Sequence, residues 1–131
     1  MLSDMKPFRL AGNIYYIGCR AESSHMIDTG DGLILIDTGS DDKVEALVES
    51  IEMLGFRVEE VKLILHSHGH YDHSGASGKL AELSGAKTYV HEKDVKYLFG
   101  KFQPDFGYQD GDIIRLGNTE ILVLETSGHT E

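Results

Sequence analysis

Val61-Lys62-Leu63-Ile64-Leu65 running into His66-Ser67-His68-Gly69-His70-Tyr71-Asp72-His73 is the stretch on which the reading of this chain turns. The first five residues form a short apolar run of strand length, and the next eight hold four histidines and a carboxylate. A strand that ends in such a loop is a rigid mount for metal ligands. Imidazole and carboxylate suit a borderline divalent ion such as zinc, and they also suit iron. A metal held by them with open coordination positions can generate hydroxide from water near neutral pH.

The spacing sorts the cluster. His68 and His70 are two apart, so in an extended segment their rings point to the same side and can grip one ion. Asp72 and His73, at the turn into a following helix, could hold a neighbouring ion. A first ion needs a third protein ligand, and the candidate is distant: His129, in Thr126-Ser127-Gly128-His129-Thr130, where Gly128 lets the backbone come close. His66, one extended step before His68, reads as a packing or ligand-supporting residue rather than a ligand. His25 and His91 read as ordinary, Cys19 as a small buried hydrophobe, and Tyr71 as a packing residue or a substrate contact. Ser74-Gly75-Ala76-Ser77-Gly78-Lys79 lacks the offsets of a phosphate loop or a nucleophile elbow.

Outward from this loop, short strand-like runs alternate with helical patterns. Residues 13–18 and 24–28 are short apolar stretches, and Thr29-Gly30-Asp31-Gly32 is a turn into Leu33-Ile34-Leu35-Ile36. Ser40 or Asp41 offers an N-cap before Val44, Leu47, Val48, Ile51 and Leu54, one apolar helical face that Gly55 terminates. A second helix is expected from about Ser74, with Ala76, Leu80 and Leu83 on its inner side and Gly85 at its end. A strand at 88–90, a short helix near 92–99, and a hairpin of 112–116 and 119–125 across Gly117-Asn118 complete the pattern. The alternation predicts an α/β (α+β) architecture, a mixed sheet with helices on one face.

Composition narrows the function. With 12 basic and 22 acidic residues the formal net charge is −10, which disfavours nucleic acid and anionic membrane as partners. One cysteine excludes an internal disulfide or a Cys-rich zinc site. The opening Met1-Leu2-Ser3-Asp4-Met5-Lys6-Pro7 has no apolar signal-peptide core, and no stretch reaches membrane-span length, so the expected location is cytoplasmic.

His68-Gly69-His70-Tyr71-Asp72-His73 resembles the H-x-H-x-D-H signature of the metallo-β-lactamase superfamily. Leu35-Ile36-Asp37-Thr38-Gly39 is similar to that family's early Asp-Thr-Gly turn, Asp110-Gly111-Asp112 with Leu116-Gly117 to its pre-hairpin segment, and Ser127-Gly128-His129-Thr130 to its downstream Gly-His-Thr motif. The likeness runs from about Asn13 to Glu131, in the family's order. It implies His68, His70 and His129 on a first zinc, Asp72 and His73 on a second, and Asp37 steadying the metal loop without binding metal. It implies a zinc-dependent hydrolase in which metal-bound hydroxide, oriented by Asp72, attacks the carbonyl of a small-molecule substrate: a β-lactam, lactone or thioester. Iron in place of zinc, as in the family's sulfur dioxygenases, is a further expectation.

The family folds as a four-layer αββα sandwich of two similar halves, with a further metal-binding histidine in the second. Residues 1–131 therefore resemble an N-terminal half, apparently truncated at the C-terminus. The expected consequences are an apolar inner sheet face, self-association into a homo-oligomer through it, and a second zinc held more weakly than the first. His129 is expected to be poorly ordered without metal. The competing expectation is a non-catalytic metal-binding half-domain that serves as an assembly or binding unit.

Overall fold

The computed structural model describes residues 5–20, 24–38, 44–66, 77–91, 106–108 and 112–122. Nine strands are seen among them: β1 (Phe8–Ala11), β2 (Ile14–Tyr16), β3 (His25–Asp28), β4 (Leu33–Ile36), β5 (Val61–Leu65), β6 (Lys87–His91), β7 (Phe106–Tyr108), β8 (Ile113–Leu116) and β9 (Thr119–Leu122). Two α-helices join them, α1 (Val44–Met53) and α2 (Ser77–Ser84), with a 3-10 turn at Val58–Glu60. Strands β1 to β7 form one sheet in sequential order, and β8 pairs with β9 in a separate hairpin. The first four strands meander antiparallel, while β4, β5, β6 and β7 run parallel. Helices α1 and α2 lie in the connections between parallel strands, because a parallel neighbour can be reached only by a crossover.

Alternation along the strands divides the core in two. Met26, Leu33, Leu35, Val61 and Ile64 pack with Val44, Leu47 and Ile51 of α1 and Leu80 of α2. Ile27, Ile34 and Leu65 point to the opposite face and pack with Ile114 of the hairpin. Val61 and Ile64 share a face although they are three positions apart. The β4–β5 register explains this, jumping from Leu33↔Val61 to Ile34↔Leu63, so that Lys62 is the extra residue of a bulge. Both helices therefore cover one face of a mixed sheet, as the alternation predicted. The other face, expected to be bare, carries the β8–β9 hairpin over part of its area, with Ile36, Leu63 and Tyr89 half-buried beside it.

Helix α1 ends as its glycine implied. Gly55 has φ 91°, its amide bonds the Glu52 carbonyl at 2.9 Å, and the Phe56 amide bonds that of Ile51 at 3.1 Å, which is the Schellman arrangement. Ser40 and Asp41, the expected caps, lie outside the described residues, as do 92–99, where a short helix was expected. Helix α2 is described from Ser77, and the expected inward position of Leu83 is not observed: it is 48% exposed. The buried stripe runs instead through Ser77 and Leu80, with Ala81 packed beside them. At about 100° per residue, Leu83 lies roughly 60° to the far side of Leu80 from that stripe. Two strands escaped the sequence reading, β1 and β7.

Candidate metal centre

Strands β4, β5 and β6 are adjacent and parallel, so their carboxyl ends lie side by side, the usual place for a ligand site in such a sheet. Asp37 and Thr38 leave β4, and His66 leaves β5. The ladder continues one step past the strands: the Asp37 amide donates to the Leu65 carbonyl at 2.8 Å, and the His66 amide to the Tyr89 carbonyl at 3.2 Å. These bonds fix the Leu65–His66 peptide, where the chain enters the His-rich segment, against both neighbouring strands.

Asp37 turns the chain. Its φ of 60° is left-handed, a conformation that aspartate tolerates better than most residues. It is buried, and its carbonyl accepts a hydrogen bond from the Ser24 hydroxyl at 2.5 Å, tying the segment before β3 to the end of β4. The family resemblance implies a supporting part for Asp37, and its backbone lies at the carboxyl end of β4, bonded to the end of β5 from which the His-rich segment departs.

His66 is fully buried, and both ring nitrogens have protein partners. Nδ1 lies 2.8 Å from the Tyr89 carbonyl oxygen and Nε2 2.5 Å from the Ser77 hydroxyl. A carbonyl can only accept, so the proton of the neutral ring sits on Nδ1 and Nε2 accepts from Ser77. The Ser77 oxygen is in turn 2.7 Å from the Thr38 hydroxyl. With the ring neutral, one consistent direction follows: Thr38 donates to Ser77, Ser77 to His66, and His66 to Tyr89. Such a ring is not available as a metal ligand, in keeping with the supporting part expected for it.

This arrangement brackets the His-rich segment in sequence. His66 and Ser77 stand at its two ends, and ten residues lie between them, among them His68, His70, Asp72 and His73. Those four, Tyr71 and distant His129 lie outside the described residues. Among the described residues no group of three or more His, Cys, Asp or Glu is arranged to hold a metal. The donors within 67–76, three imidazoles and a carboxylate, are the set that zinc takes. The other histidine with a described side chain, His25, is half-buried edge-on to Tyr16, with ring centroids 5.2 Å apart. Cys19 is buried, as expected of a small hydrophobe. Among the described residues no helix is long and apolar enough to cross a membrane.

The parts played by Thr38, Ser77 and Ser24 do not follow from the sequence: Thr38 stands in the Asp-Thr-Gly stretch with no role attached, Ser77 and Ser24 are small hydroxyl residues, and only the fold reveals what each faces.

Comparison with known proteins agrees with this geometry. The sequence model described as "Metallo-beta-lactamase superfamily" matches residues 17–131. A hydroxyacylglutathione hydrolase of Rhodospirillum rubrum is 31% identical over 117 residues, covering 89% of this chain and 39% of the relative. An uncharacterized protein of Aquifex aeolicus is 34% identical over 113 residues, 74% of this chain and 49% of its own. Among solved structures, a subclass B3 metallo-beta-lactamase of Bradyrhizobium japonicum superposes with a TM-score of 0.91 at 31% identity, covering 98% of this chain and 54% of that one. A metallo-beta-lactamase of Elizabethkingia meningoseptica gives 0.92 at 34% identity, over 98% and 53%. The matched region thus spans from about two fifths to just over half of the length of these proteins.

Proposed function

Since the chain belongs to the metallo-beta-lactamase superfamily, we propose that it contributes the principal metal-binding half of a zinc-dependent hydrolase acting on a small carbonyl substrate. The observation that carries the proposal is the bracketed segment: a fixed stem at the carboxyl ends of β4, β5 and β6, with His68, His70, Asp72 and His73 between its two ends. In this reading His68, His70 and His129 hold a first zinc, and Asp72 and His73 contribute to a second. Zinc bound there supplies Lewis acidity toward a carbonyl oxygen and acidifies water toward neutral pH. Asp72 orients the attacking oxygen, and Asp37 steadies the ligand segment from the end of β4. Iron would suit the same donors.

Residues 1–131 correspond in this proposal to the N-terminal half of an αββα sandwich. The shares of 54% and 53% of the two lactamases' lengths support that assignment. The substrate classes to test are a β-lactam and a glutathione thioester, from the names of the relatives, and a lactone. Zinc-dependent turnover of one of them by the chain, abolished in His70→Ala, is the expected result. Bound zinc with no turnover of any would favour a binding or assembly unit instead. Self-association through the hairpin-bearing face is a further part of this proposal. Light scattering on the same sample tests it, and a monomer at high concentration would exclude it.

A further inference from the structure

We propose that Thr38, Ser77 and His66 act as positioning residues for the metal: a hydrogen-bonded latch that holds the two ends of the ligand segment together before any ion binds. This inference rests on the reading that residues between 66 and 77 bind zinc. Its basis is that one contact, His66 Nε2 to Ser77 Oγ at 2.5 Å, joins the last residue before the segment to the first described residue after it. Whatever path the ten intervening residues take, it starts and finishes at that contact. The entropy of closing the segment is therefore already spent when the ion arrives.

The composition of the latch favours positioning over mere filling. His66 and Ser77 are fully buried and Thr38 is 1% exposed, so each polar group carries a desolvation cost that an apolar trio of similar volume would avoid. What hydrogen bonds add is direction. Tyr89 fixes the ring through Nδ1, Ser77 fixes it through Nε2, and Thr38 fixes Ser77 from the neighbouring strand end. A ring held at both nitrogens cannot rotate about its last side-chain bond without breaking both links. His68 is only two residues beyond it. The latch thereby couples three elements, β4, β5 and α2, to the first proposed ligand.

Two measurements test this. Nitrogen-15 NMR of the metal-free chain should show the His66 proton on Nδ1; a proton on Nε2 alone would overturn the latch as drawn. Zinc affinity by competition with a chromogenic chelator should fall about tenfold or more in Ser77→Ala and in His66→Asn, the range seen when groups supporting metal ligands are removed. His66→Gln, whose side-chain oxygen reaches the Nε2 position and can accept from Ser77, should recover most of the loss. Thr38→Val should weaken binding less than Ser77→Ala, since it leaves the direct contact in place. Should Ser77→Ala fail to fold, Thr38→Val, the two His66 variants and the NMR result decide the matter. Folded variants that all bind zinc as tightly as the parent chain would overturn the latch and leave the metal site standing. A parent chain that binds no zinc would overturn the metal reading, and this inference with it.

Discussion

Asp37 shows how much one dihedral angle can organise. It is the only non-glycine residue among those described with a positive φ, and its amide and carbonyl link β5 and the segment before β3 to the end of β4. The left-handed backbone sets a comparison between substitutions. Asp37→Gly removes the carboxylate while tolerating φ 60°, whereas Asp37→Ala removes it but keeps a Cβ, which a left-handed backbone disfavours, without the polar side chain that lets aspartate adopt that conformation. Urea unfolding should find the alanine variant less stable than the glycine variant by about 1 kcal/mol. Equal stabilities would mean that residue 37 is free to leave that conformation. At the same scale, His66 separates the histidines of the cluster by role: its two nitrogens are committed to Tyr89 and Ser77. Spacing already set His66 apart from the proposed ligands, and the two hydrogen bonds supply the physical reason.

Among the elements, the β8–β9 hairpin is held both by Ile114 on the sheet and by one close contact at its turn. Gly117 has φ 55°, and an added Cβ would overlap the Thr29 carbonyl oxygen and stand 2.8 Å from its hydroxyl. The neighbouring Asn118 amide donates to that same carbonyl at 3.1 Å. The hairpin turn is thus docked on the β3–β4 turn, where Thr29 is itself bonded through its hydroxyl to Gly32. Gly117→Ala should lower stability by about 2–3 kcal/mol, from the left-handed backbone and the overlap together. Gly12→Ala, with φ 51° and nothing within 4 Å of the added carbon, should cost only about 1 kcal/mol. If the two variants unfold at the same urea concentration, the docking of the two turns is wrong.

Much of this layer was legible because its signals are local. Leu33–Ile36 and Val61–Leu65 are apolar runs of strand length, and Val44, Leu47 and Ile51 repeat at helical spacing. What was illegible has a physical cause in each case. Every residue of β1 is exposed, so no alternation marks it as a strand, and its place is set by pairing with β2, where Phe8 stacks on Tyr16 at 5.5 Å. Strand β7 has three residues, too few to show a period. In α2 the inward position belongs to Ser77, which hydropathy counts as polar, while Leu83 faces outward. A buried serine bonded to a histidine from another element is a long-range fact. The candidate centre divides in the same way: its proposed ligands are suggested by donor type and spacing, whereas the hydrogen bonds joining His66, Ser77 and Thr38 emerge only from the fold.

Taken whole, the chain is one mixed sheet with helices on one face and a hairpin against part of the other, and it superposes on half of each of two metallo-beta-lactamases. Three parallel strand ends, an aspartate in a left-handed turn and a buried hydrogen-bonded trio converge on the two ends of one His-rich segment. The most direct test is to load the purified chain with zinc, dialyse it extensively and measure the metal retained by elemental analysis. One tightly held equivalent, lost in the His68→Ala/His70→Ala double variant while the fold persists by circular dichroism, is the expected result. No zinc retained by the parent chain, or zinc retained equally by the double variant, would contradict it.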